Sequence, residues 1–235
     1  MATLSNLKIE AGSNLFVYDG QDLVDKVRAK VQDDSYSVEQ ILQLFNQCLV
    51  ELAGDFLLPE LETWATIVTD PTSSTVSLPA NYQRNLRFCN SLTQSRRVSV
   101  MGSRAQVDRH FVRRDESGRV LAVAPLGRQL YYQRIPQSAE QLELNFYRYP
   151  ELLRSREQKP TCIPPHLVEG LLVNFAAAEL YSEIEDGIEG PQVNTTRYTE
   201  KYEKAKAQLT VFLGPEERAP VELEDGIGWD SLAYG

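Results

Sequence analysis

Between residues 20 and 54 apolar positions return every three or four residues, the period of a helix with one buried face. Leu23, Val24, Val27 and Val31 mark a short amphipathic helix within GQDLVDKVRAKVQDD, with Asp22 at its start, where an acid suits the helix dipole. A second helix, SVEQILQLFNQCLVELAG, carries the stripe Ile41, Leu44, Phe45, Cys48, Leu49 and Leu52. Ser37 with Gln40 is a candidate capping box, and Gly54 a candidate stop. About four residues join the two helices, which predicts antiparallel neighbours.

From Trp64 the period shortens to two. Strands are predicted at TWATIVTD, STVSLP, RNLRFCNS, RRVSVMG, RVLAVAP, RQLYYQRI and QLELNFYRY. In the last, Leu142, Leu144 and Phe146 fall on one face and Glu143, Asn145 and Tyr147 on the other. RDESGRV reads as a hairpin turn centred on Ser117-Gly118, while RAQVDRHFV fits a short helix or a strand equally.

After Pro150 the helical period returns. IPPHLVEGLLVNFAAAELYSEIEDG begins with a Pro pair suited to a first turn, runs to about Asp186 and stops at Gly187. A last helix, TTRYTEKYEKAKAQLTVFLG, places Tyr198, Tyr202, Ala205, Leu209 and Phe212 on a heptad seam. Residues 1–20 read as an extended arm or edge strand. The closing PEERAPVELEDGIGWDSLAYG, with six acids against one Arg, reads as a tail, because it is too polar to form its own core.

The expected fold class is therefore α+β: an antiparallel four-helix bundle core with a strand-rich β insertion and an extended C-terminal tail. The expected division is an arm (1–20), a helical bundle domain (21–58 and 160–213), a β-rich insertion (59–150) and a tail (214–235).

Net charge changes this picture only locally. The chain carries −9 overall, against general nucleic-acid binding. Residues 81–134, however, hold eleven Arg, no Lys and three acids. That block can face DNA phosphates, with Phe111, Tyr131 and Tyr132 to stack on bases. Alternatively it pairs with the chain's own acids, within or between subunits. The second reading is preferred, since the acidic remainder supplies the matching sign. It makes Arg84, Arg87, Arg96, Arg97, Arg104, Arg113 and Arg114 candidates for an oligomer or partner interface.

Candidate chemistry is sparse. His110 and His166 lack metal-ligand partners at helical spacing, although Glu169 lies three residues after His166. Glu183, Glu185, Asp186 and Glu189 cluster without the spacing of a calcium loop. No nucleophile elbow, phosphate loop or dinucleotide fingerprint occurs. Cys48, Cys89 and Cys162 form no CxxC motif and read as reduced, mostly buried thiols. No catalytic, metal or cofactor site is expected, no apolar run suits a membrane, and the N-terminus does not read as a secretory signal. A small hydrolase built on His166 and nearby carboxylates is the enzyme alternative.

The order of these pieces resembles the head-to-tail adaptor, or head-completion, proteins of tailed double-stranded DNA bacteriophages. The opening helix pair, the strand pair ending in Leu78, Pro79 and Tyr82, LELNFYRYPELL, the Ala-rich helix after Ile163-Pro164 and RYTEKYEKAKAQLTVFL each resemble the family's segments. The resemblance covers roughly residues 22–213. The long Arg-rich insertion and the first twenty residues depart from it.

The resemblance implies a non-enzymatic structural protein of the virion neck, assembled in the host cytoplasm. Its copies, commonly twelve, form a ring below the portal protein and offer a platform to downstream neck and tail proteins. Packaged double-stranded DNA passes through without sequence-specific binding. It also implies that the tail reaches the portal, with Trp229, Leu232 and Tyr234 as anchors. A stopper or tail-terminator ring, or a nucleic-acid binder using the Arg-rich insertion, are the alternatives.

Overall fold

A computed structural model of the chain describes residues 17–33, 35–111, 116–186 and 192–215. Among them the chain forms two compact units. The helical unit takes in residues up to Glu62 and Tyr147–Gly214; the sheet unit is Thr63–Phe146.

In the helical unit, α1 (Gly20–Val31) opens on a capping box in which Asp19 and Asp22 exchange backbone and side-chain bonds. Asp22 thus acts on the backbone of Asp19 as well as on the dipole. The predicted Ser37–Gln40 capping box starts α2 (Val38–Asp55), which runs through Gly54 and ends at Phe56. Ile41, Phe45, Cys48, Leu49 and Leu52 are fully buried, and Leu44 is half-buried. The segment after Pro164-Pro165 enters through a π-turn (Glu169–Val173) and continues as α4 (Asn174–Glu185). It touches α1, α2 and α5 (Val193–Leu213), which explains why it is apolar almost all round. Gly170 is small for a reason: a Cβ there would sit 3.2 Å from the Cβ of Ala205 on α5.

On α5, Tyr198, Tyr202, Ala205 and Leu209 are buried as the seam predicts. Phe212 departs from it at 56% exposure; its ring meets the edge of the exposed His166 ring, 5.4 Å between centroids. Tyr198 stacks on Tyr181, and Tyr202 meets Phe175 edge-on.

The sheet unit has its own cores. Seven strands, β1 (Glu62–Val68), β2 (Thr75–Ser77), β3 (Tyr82–Ser91), β4 (Arg96–Val100), β5 (Ala122–Leu126), β6 (Gln129–Gln133) and β7 (Gln141–Arg148), form one sheet in the order β1-β7-β3-β4-β5-β6-β2. β3–β4, β5–β6 and β2–β6 are antiparallel, while β4–β5 is parallel. A parallel pair needs a crossover, not a tight turn. The segment around Ser117-Gly118 is therefore no hairpin. It belongs to a connection that contains α3 (Arg104–His110), so RAQVDRH is helical, and Ser117 makes a parallel bridge to Ile135.

One face of the sheet buries Leu86, Cys89, Val98, Val123, Leu130, Tyr132, Leu142, Leu144 and Phe146. On the other, Val107 of α3 packs on Ala122, Ala124 and Tyr131. Asn145 and Tyr147, on the opposite face of β7 from its core residues, are also buried.

The expectation of a four-helix bundle core carrying a β insertion is thus corrected. The described residues form five helices and a seven-stranded, curled mixed sheet, a half-barrel, so the fold is strand-rich rather than bundle-centred. The cause is physical. Strands with alternating faces bury them by pairing into one continuous sheet, and that sheet makes a core of its own, with a fifth helix sealing part of its second face. The expected C-terminal tail lies outside the described residues.

Candidate interaction surface

The residues suspected of chemistry do not converge. Glu169 pairs with Lys26 at 2.9 Å and Lys30 at 3.9 Å rather than with His166, and Lys30 also bonds Asn174. Burial alone would raise the Glu169 pKa, but hydrogen bonding and charge from Lys26, with Lys30 and Tyr18 adding to them, hold it below the usual value. A depressed folded-state pKa gives stability that is present above the unfolded value of about 4.3 and lost as pH falls through the folded value. Glu169→Gln is therefore expected to lower the urea midpoint at pH 7 and to make little difference near pH 3. An equal loss at both pH values would show that packing, not charge, is what Glu169 supplies.

Glu185 accepts from the Asn194 and Thr195 amides and the Thr195 hydroxyl, capping α5, while Glu183 and Asp186 are exposed. Glu189 lies outside the described residues. No cluster of potential metal ligands occurs among the described residues. Burial pushes the Cys89 thiol up to about 12 and Cys162 to about 11, and raises Cys48 further. At neutral pH all three stay protonated and poorly nucleophilic.

The arginines have varied surroundings. Arg96 donates to the Val120 carbonyl. Arg104 pairs with Asp108 at 3.5 Å and lies 4.8 Å from the Tyr131 ring centroid, holding α3 to the sheet. Arg134 pairs with Glu116 at 3.1 Å. Arg84 and Arg87 are half-buried on β3. Arg113 and Arg114 lie outside the described residues, as do Trp229, Leu232 and Tyr234. Tyr131 and Tyr132 are 1% and 0% exposed, so neither ring is open to a base.

The sequence reading missed the feature that organises this surface. α3 covers only the β5–β6 side of its face. On the remaining side Trp64 of β1, 50% exposed, stacks on Phe88 of β3 with centroids 6.4 Å apart and an 11° interplanar angle. In strand order β7 lies between β1 and β3, and its Asn145 is fully buried. Arg97 of β4 places its guanidinium 4.7 Å from the Phe88 centroid, and Arg87 lies at 5.8 Å. Val68, 52% exposed, continues the face along β1. The available signal was TWATIV itself, which puts Trp64 and Val68 on one side of a strand and Ala65 and Ile67 on the other.

A family model described as SU10 adaptor protein matches residues 18–222. The chain belongs to this phage head-to-tail adaptor family. The match takes in both units, the Arg-rich strands and the Trp64–Phe88 face; Trp229, Leu232 and Tyr234 lie beyond it. Membership makes this adaptor a structural protein of the phage virion, associated with other head and tail proteins, in a family that is generally non-enzymatic. No helix of the described residues is long and apolar enough to cross a membrane. No match was found among curated proteins.

Proposed function

We propose that copies of this adaptor form a closed ring, of about twelve subunits as the resemblance suggests, below the portal. In this reading the ring extends the DNA channel and presents a platform to downstream neck and tail proteins. The tail, roughly Leu223–Gly235, contacts the portal through Trp229, Leu232 and Tyr234. The residues that precede α1 act as an arm, and the Arg-rich β module supplies protein-facing contacts. The observation that carries the reading is the family match over residues 18–222.

Two surface features support it. The end of α5 exposes the adjacent Val211 and Phe212 at 83% and 56%, a small apolar spot that a neighbouring copy can cover. Outside residues 81–134 the chain has thirteen bases against thirty acids, and an acidic channel wall lets DNA slide because phosphates are repelled.

Electron microscopy of the purified chain mixed with the portal of the same phage tests the proposal. Closed rings seated on the portal are expected. A chain that stays monomeric and unattached beside an intact portal refutes it.

A further inference from the structure

The partly open sheet face and the acidic C-terminal segment are complementary. The face presents a stacked aromatic pair, Trp64 and Phe88, with the guanidiniums of Arg87 and Arg97 against Phe88. Residues 215–235 hold six acids against one Arg, and Asp225 and Asp230 flank Trp229. An aromatic between carboxylates suits a surface where cations sit beside a stacked, partly exposed aromatic pair. We infer that, in the free adaptor subunit, the C-terminal segment Pro215–Gly235 docks on the Trp64–Phe88–Arg97 face of its own chain.

Tethering favours this occupant. The segment has twenty-one residues, enough to extend roughly 70 Å. A tethered ligand also reaches an effective concentration in the millimolar range. A nucleic-acid strand is the competing occupant and suits the face less well. Phosphates need a longer run of cations than Arg87 and Arg97 supply, Glu143 lies on the same side of the sheet bonded to Asn90, and the chain's net charge of −9 repels DNA.

Docking of the tail on its own sheet and its use by the portal exclude one another in time. The segment is parked before assembly and released when the portal competes for it. The docking is read on the free chain and portal binding on the complex, so either can fail without the other.

Hydrogen exchange on the full-length chain tests the inference. Amides within 221–235 are expected to exchange about tenfold more slowly than in an unstructured peptide of the same sequence. Arg97→Glu should remove that protection while the β3 and β7 amides keep theirs. Replacing Glu224, Asp225 and Asp230 by Gln, Asn and Asn, which changes no residue of the sheet, should do the same. Tail amides that exchange at the free-peptide rate in the parent chain overturn the inference, as does protection that survives both sets of substitutions. So does a labelled oligonucleotide whose binding is lost in Arg97→Glu but kept when the tail acids are neutralised, because the face then belongs to nucleic acid.

Discussion

A chain ending before Leu223 is expected to fold and to lose about a thousandfold in affinity for the portal. The fold should survive because the three described cores are already built from residues between Leu23 and Leu209. The size of the loss follows from the composition of the segment. Trp and Tyr are enriched among interface anchors, and truncating a true anchor costs about 2 kcal/mol or more. Two such losses make about 4 kcal/mol, or three decades in Kd. Binding measured on immobilised portal, with circular dichroism as the control for folding, checks both parts. A shortened chain that binds the portal as well as the full one would remove the tail from the interface. Trp229→Ala alone should cost at least about thirtyfold if that ring is an anchor.

Much of the local structure was legible because periodicity is a local property. Ser37 and Gln40 sit three apart and cap α2 as read; Tyr198, Tyr202, Ala205 and Leu209 repeat at heptad spacing and are buried. All seven strands were located from their alternation. What alternation does not contain is which strand lies beside which. β1 and β7 are neighbours although more than seventy residues separate their centres, and β4 pairs parallel with β5 across α3. Those pairings turned an expected insertion into a sheet with its own core. They also overturned the Ser117-Gly118 hairpin, because a turn signal specifies a local bend and not the direction of the strand that follows.

The candidate surface was harder to read for the same reason. Trp64 and Phe88 meet only because their strands flank β7. The Arg-rich block was visible as composition, yet its members divide by face. Arg96 bonds to the Val120 carbonyl and Arg104 to the carboxylate of Asp108 on α3, while Arg97 stands beside the half-buried Phe88 ring. Strand parity separates Arg96 from Arg97, but parity does not say which side a helix will cover. Phe212 makes the converse point. Its heptad position is sound, and 56% of it remains exposed.

Phe146→Ala is expected to destabilise the sheet unit by about 3–5 kcal/mol, whereas Trp64→Ala should cost less than about 1 kcal/mol. Phe146 is fully buried, with the Tyr82 ring 5.3 Å away and tilted by 51°, among Leu86, Cys89, Leu142 and Leu144. Removing its ring leaves a cavity that strands on both sides must share, and lost transfer energy adds to lost contacts. Trp64 is half exposed, so much of its surface is already in water. The position of β7 gives the first substitution a second consequence. It links β1 to β3, so loosening it should separate Trp64 from Phe88, and the Trp64 emission should shift in a Trp229→Phe background. Phe146→Leu keeps an apolar side chain of similar bulk and should recover most of the loss. Denaturant midpoints resolved by amide exchange in β3 and β7 would read the effect in the sheet unit alone. A cost below about 1 kcal/mol for Phe146→Ala would mean that this core is looser than its burial indicates, and that the stacked face rests on some other support.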